Sequence, residues 1–287
     1  MIEIRNDTLT AVINPHGAEL THLRDAQGRE LMTDADPAFW TGRAPILFPI
    51  VGALNNDRYR VDGREYTLPK HGFARRSDWE VLAADPTAAK LRLTDSAATR
   101  EAYPFAFALE LAFAVDGATL TMTATLDNPG DADLPASFGY HPAFAWPLPY
   151  GEPREAHRLT FERPEPQPLR ALSDDGLILP AERATPVAGD TLMLADDLFT
   201  ADALIWDTVQ SRSLRYGADS SPSLDIAWDA PMLGVWTKPH AHYVCVEPWW
   251  GIADPAGFDG DIWDKPGILR LAPGERRQFT MRVTLHT

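Results

Sequence analysis

The chain has 287 residues, 45% of them apolar, enough to bury a substantial core, and its 41 acidic against 26 basic residues give a net charge of −15. That field repels nucleic acid and anionic membrane surfaces, so neither is expected as a partner. Cys245 is the single cysteine, which leaves no disulfide framework and no thiolate metal cage.

The opening stretch MIEIRNDTLTAVINPHGAEL is polar and alternating. It lacks the basic start and apolar run of a signal peptide, and no segment approaches the ~20 apolar residues of a membrane span. A cytoplasmic location is therefore expected. Within that stretch IEIRNDTLTAVI alternates apolar with polar residues, the period of a half-buried strand. DPAFW (36–40) reads as a single turn or short helix. GRAPILFPIVG (42–52) is an apolar run entered by Arg43, which is either a strand-end charge or a ligand clamp.

RYRVDGREYTL returns to the period of two around a VDGRE turn signal, and KHGFARRSDW (70–79) follows it. His71, Arg75 and Arg76 make a compact basic group there. An exposed salt-bridging patch is the default for such a group, and substrate binding is the alternative. KLRLTD reads as a strand and DSAATREAY (95–103) as a turn or short helix. FALELAFAVDGATLTMTATLDN (107–128) is a long β-hairpin about the VDGA turn. The stretch FGYHPAFAWPLPYG then sets His141 among aromatics and prolines. Residues 147–190, rich in proline and charge, are expected to form a long loop or excursion.

In the last third, Trp228, Trp236, Trp249, Trp250 and Trp263 crowd together as core anchors or as platforms for a sugar face. His240 and His242 in PHAHY have the i, i+2 spacing of a metal pair on a strand, but no third ligand accompanies them, so surface histidines are favoured. VCVEPWWGIAD (244–254) places Glu247 at the end of a buried strand, and RQFTMRVTLHT closes the chain with another alternating strand. Burial beside Pro-Trp-Trp-Gly raises a carboxyl toward the range of a general base. Spacing alone leaves Glu247 open between that role and a turn-capping carboxylate, and His141 open between a catalyst and a ring bonded to backbone. The strand-and-turn pattern, without repeat or linker, predicts an all-β chain folded as one large, mostly antiparallel β-sandwich domain over 1–287. No GxGxxG follows a strand, and neither a phosphate loop nor a GxSxG elbow occurs, so no cofactor is expected.

The segments HGFARRSDWE, FGYHPAF, LFTADALIW and CVEPWWGIAD occur in that order, together with WTGRAPILFP. On these residues the chain resembles the aldose 1-epimerase (galactose mutarotase) family, most closely its epimerase-like branch associated with lactose operons. The resemblance implies a large β-sandwich with a sugar cleft across its strands. It implies His141 as general acid, Glu247 as general base, Asp202 of ADALIW as a substrate-holding carboxylate, and His71 and Arg75 as sugar-site residues, with Arg43 carried over beside them. It also implies an ionised Glu247 and a charged His141, each favoured by the other's proximity. The expected partner is a monosaccharide; monomer and homodimer both stay open. A hexose-6-phosphate mutarotase using Arg43, Arg75 and Arg76, a non-catalytic sugar-binding protein and, more remotely, a glycoside hydrolase with Glu247 and Asp202 are the competing readings.

Overall fold

The computed structural model describes residues 1–287. Period-two segments become strands throughout, and they assemble mainly into two sheets. A nine-stranded sheet runs, in spatial order, Thr191–Met193, Arg158–Phe161, Ser213–Gly217, Ser223–Trp228, Arg276–His286, Thr119–Asp127, Ala108–Asp116, Ala88–Thr94 and Glu80–Ala84. The hairpin expected over 107–128 lies within it, with Thr119 opposite Asp116 and Asp127 opposite Ala108. An eight-stranded sheet orders Ile178–Arg183, Leu169–Leu172, Leu204–Trp206, Met232–Trp236, Tyr243–Trp250, Phe138–Tyr140 and Ile46–Leu47, and Ala143–Ala145 also pairs with Tyr243–Trp250. All these pairings are antiparallel. DSAATREAY contains the short helix Ala97–Ala102, started by a reciprocal cap between Ser96 and Thr99. No helix is long and apolar enough to cross a membrane.

The two sheets face each other across one cluster of 66 buried apolar residues. Phe138 of the eight-stranded sheet stacks on Phe279 of the other at 4.7 Å, and Trp250 meets the same ring at 4.9 Å. Tyr140 ties the layers by its hydroxyl, which accepts the Ala124 N–H (2.9 Å) and donates to the Phe279 carbonyl (2.9 Å). That anchor fixes the backbone one residue before His141. Tyr140→Phe leaves the Ala124 donor without this acceptor and is expected to destabilise the fold by about 1–3 kcal/mol. A lower urea midpoint with an unchanged m-value is the expected measurement.

Residues 147–190 are not one long loop. They contribute Arg158–Phe161, Leu169–Leu172 and Ile178–Arg183, the last two at an edge of the eight-stranded sheet. No residue of Ile178–Arg183 is buried, so proline and charge are tolerated there and erase the alternating pattern.

Candidate active site

The site is built on the outer face of the eight-stranded sheet. In the strand Tyr243–Trp250 all eight residues are buried, on both faces. Val244, Val246 and Trp250 enter the sandwich core, whereas Tyr243, Cys245, Glu247 and Trp249 alternate to the other face. Glu247 therefore lies inside this strand, not at its end as the sequence suggested. Pro248, which has no N–H to give, is what made the strand seem to stop.

A cross-strand row places Ile205 opposite Gly234 and Gly234 opposite Glu247. Gly234 keeps this floor open, since a Cβ there would lie 2.6 Å from the Trp249 indole. Gly139, paired with Trp249 on the other side, has the same constraint at 2.7 Å.

Loops wall this floor into a cavity of about 240 Å³. It brings together His71, Arg75, His141, Asp202 and Glu247, with Trp40, Trp236 and Trp249 as aromatic walls. A water's share of liquid volume is about 30 Å³, so the space suits a small molecule. Arg43 is not among the lining residues. Its guanidinium is committed to the backbone carbonyls of Thr21, Thr33 and Asp34, which makes it a strut between loops and corrects the ligand-clamp reading. Arg76 is exposed and also outside the lining.

His141 follows the strand Phe138–Tyr140 and is 8% exposed, and Glu247 is 1% exposed. Nε2 of His141 lies 3.2 Å from Oε2 of Glu247. Nevertheless Oε2 of Glu247 and Nδ1 of His141 are buried without a hydrogen-bond partner. Buried polar atoms are nearly always satisfied, so two orphans on neighbouring side chains set this pair apart from the surrounding packing. The His141 ring is held by Trp40 at 5.0 Å and by Trp236 and His71, each edge-on at 5.9 Å.

Charge in the pair is set by burial more than by proximity. Burial pushes the Glu247 carboxyl well above its ordinary range, with Lys70 opposing and Asp202 reinforcing the rise. Burial pushes the His141 imidazole down to about 3, with Arg75 and Lys70 adding to the fall. Burial thus favours the neutral forms of both groups over the ion pair expected from the sequence. The neutral pair and the ion pair hold the same single proton, so the two groups titrate as a unit.

His71 sits in a loop bonded to the segment after Ile46–Leu47: its N–H donates to the Gly52 carbonyl (2.9 Å), and Phe73 and Ala74 donate to the Phe48 carbonyl. Its backbone has φ 66°, as Asp202 has φ 67°; two non-glycine residues of one cavity share the left-handed region. The Gly52 N–H donates to Nδ1 of His71 (3.0 Å), which places the neutral ring's own proton on Nε2. Burial, then the charges of His141, Lys70, Arg75 and Arg76, hold His71 well below its usual value. The unfolded ring takes a proton as pH falls through about 6.5 while the folded ring refuses it, so acid removes stability. His71→Asn, which tolerates left-handed backbone, is expected to shrink the loss of stability between pH 7.5 and pH 5 (measured by urea midpoints).

Asp202 is exposed at the cavity rim, just before Leu204–Trp206, and its carboxylate accepts the Ala203 N–H at 2.8 Å. Among the tryptophans weighed as sugar platforms, Trp236 and Trp249 line the cavity, whereas Trp228 and Trp250 belong to the core. His240 and His242 are exposed and turned to separate carboxylates, Asp196 and Asp34. Lys70 and Trp40 line the cavity without having been singled out. Adjacency of Lys70 to His71 was the available signal for one; for Trp40 it was its place at the head of WTGRAPILFP.

Residues 1–284 match the profile of the family described as aldose 1-epimerase. Protein LacX of Lactococcus lactis subsp. lactis is 28% identical over 295 residues, covering 99% of both chains. The structure of a galactose mutarotase related enzyme from Lactobacillus acidophilus superposes with a TM-score of 0.90 at 32% identity, over 99% of this chain and 97% of that one. A galactose mutarotase-like protein from Lactobacillus casei gives a TM-score of 0.93 at 29% identity, over 100% of both. From its first strand almost to its last residue, the chain belongs to the aldose 1-epimerase family, isomerases that interconvert sugar anomers.

Proposed function

We propose that this mutarotase acts on an aldohexose, with Glu247 as base and His141 as acid in opening and closing the ring. The observation that carries these assignments is the buried Oε2 of Glu247, 3.2 Å from the His141 imidazole and without a hydrogen-bond partner inside a small cavity. Mutarotation needs proton transfers at two oxygens attached to one carbon, so its acid and base have to be close neighbours.

Sugar hydroxyls entering the cavity supply hydrogen bonds that favour the charged form of the pair over the neutral one. Glu247 carboxylate then takes the proton of the anomeric hydroxyl, and His141 imidazolium donates to the ring oxygen as the C1–O5 bond breaks. The pair is left neutral, the state that burial favours, while the open-chain aldehyde turns about C1–C2. Ring closure on the other face returns both protons. His71, through Nε2–H, and Arg75 and Asp202 hold the remaining hydroxyls, and the tryptophan walls cover an apolar sugar face.

A second reading has a specific support: Lys70 and Arg75 line the cavity side by side, the Arg75 guanidinium donating to the Lys70 carbonyl. Two such cations in a chain of net charge −15 suit a phosphorylated aldose. Polarimetry on freshly dissolved α-D-glucose and α-D-galactose, beside anomer-exchange NMR on the hexose 6-phosphates, separates the two. Acceleration of a free hexose is expected. Acceleration confined to the phosphates supports the second reading, and sugar binding with no acceleration anywhere means a non-catalytic binder.

A further inference from the structure

Cys245 is fully buried, two residues before Glu247 on the same face of its strand. It packs among Ala143, Ala241 and Tyr243, behind Trp40 and Trp236. One ligand atom each from His141, Cys245 and Glu247 falls within 4.8 Å of the others. The nitrogen-to-oxygen separation of 3.2 Å is that of two neighbours in a tetrahedral shell. Independently of the thiol, the buried Oε2 of Glu247 has no hydrogen-bond partner.

We propose that His141, Cys245 and Glu247 form a three-ligand site for a zinc-class divalent cation, and that its occupation switches the acid–base pair off. Nitrogen, thiolate and carboxylate together suit a borderline cation and not magnesium or calcium, which take oxygen ligands. The balance closes without a co-reactant: the cation enters as two positive charges, and two protons leave, one from the Cys245 thiol and one from the Glu247–His141 pair. Buried charge is therefore unchanged, which removes the main electrostatic cost of a cation in an apolar setting. Three protein ligands leave the fourth position to a water or a sugar hydroxyl from the cavity. With the cation on both groups, neither takes nor gives a proton, and mutarotation stops.

The inhibitory half rests on the acid–base reading above; binding itself does not. Co²⁺ added to the full chain is therefore the first probe, because a thiolate ligand gives a near-ultraviolet charge-transfer band. One equivalent is expected to produce that band, and Zn²⁺ to displace it. Saturating Zn²⁺ is expected to lower the mutarotation rate tenfold or more, the scale of a lost acid or base, with recovery on chelation and no effect from Mg²⁺. Cys245→Ser is expected to lose the band, keep its basal rate and need at least about tenfold more Zn²⁺ for inhibition. Cys245→Ala serves if the serine variant does not fold, and the parent chain's own cobalt spectrum decides if neither does. Co²⁺ binding without a thiolate band, or undiminished Zn²⁺ inhibition of either variant, overturns the proposal. A thiolate band in a chain that shows no mutarotation upholds the metal site and refutes the acid–base assignment instead.

Discussion

Glu247→Gln is expected to lower mutarotation by about 10²–10⁴-fold, the contribution of one positioned acid or base. The change keeps the shape of the side chain and removes its ability to take a proton. It is also expected to fold. The 247 side chain faces the outer cavity, away from the sandwich core, and its backbone pairs with Gly234 irrespective of the side chain. A glutamine loses no buried ionisation, because burial already disfavours the carboxylate. A rate lost together with a lower urea midpoint would point to structural damage; a rate lost alone identifies the base.

His141→Asn is expected to cost a similar factor. Asparagine retains a donor but cannot carry the proton between the ring oxygen and Glu247. Because the two groups share one proton, their losses are not independent. The double variant His141→Asn, Glu247→Gln is expected to be scarcely slower than either single one, as for residues that act as a unit. Losses that multiply would mean that the two side chains serve separate steps. Initial polarimetric rates for the four proteins supply this comparison.

Much of the fold was legible because alternation is a local property. The hairpin over 107–128 and the closing strand both carry it in unbroken runs, and both stand in the nine-stranded sheet. The pattern failed where a strand is exposed or interrupted. Ile178–Arg183 sits at a sheet edge with little to bury, and Leu169–Leu172 pairs with it through an irregular register. Pro248 concealed the continuation of the strand that carries Glu247.

The candidate site was legible residue by residue and not as a place. His71, Arg75, His141, Asp202 and Glu247 do converge on one cavity, but the segments that bring them there are far apart in the chain. Arg43 shows the converse. A cation beside an apolar run looks the same in sequence whether its guanidinium meets a ligand or, as here, three backbone carbonyls. The protonation of the pair was also beyond the sequence: opposite charges attract, but the outcome depends on how completely the outer face of Tyr243–Trp250 is covered.

The central claim is that one buried carboxyl and one imidazole exchange protons with a sugar. Anomer-exchange NMR on an equilibrated aldohexose tests it most directly, since it reads the interconversion without a coupled enzyme. Magnetisation transfer between the two anomeric protons is expected with the parent chain and is expected to vanish with Glu247→Gln at equal concentration. Equal transfer with both proteins would contradict the account.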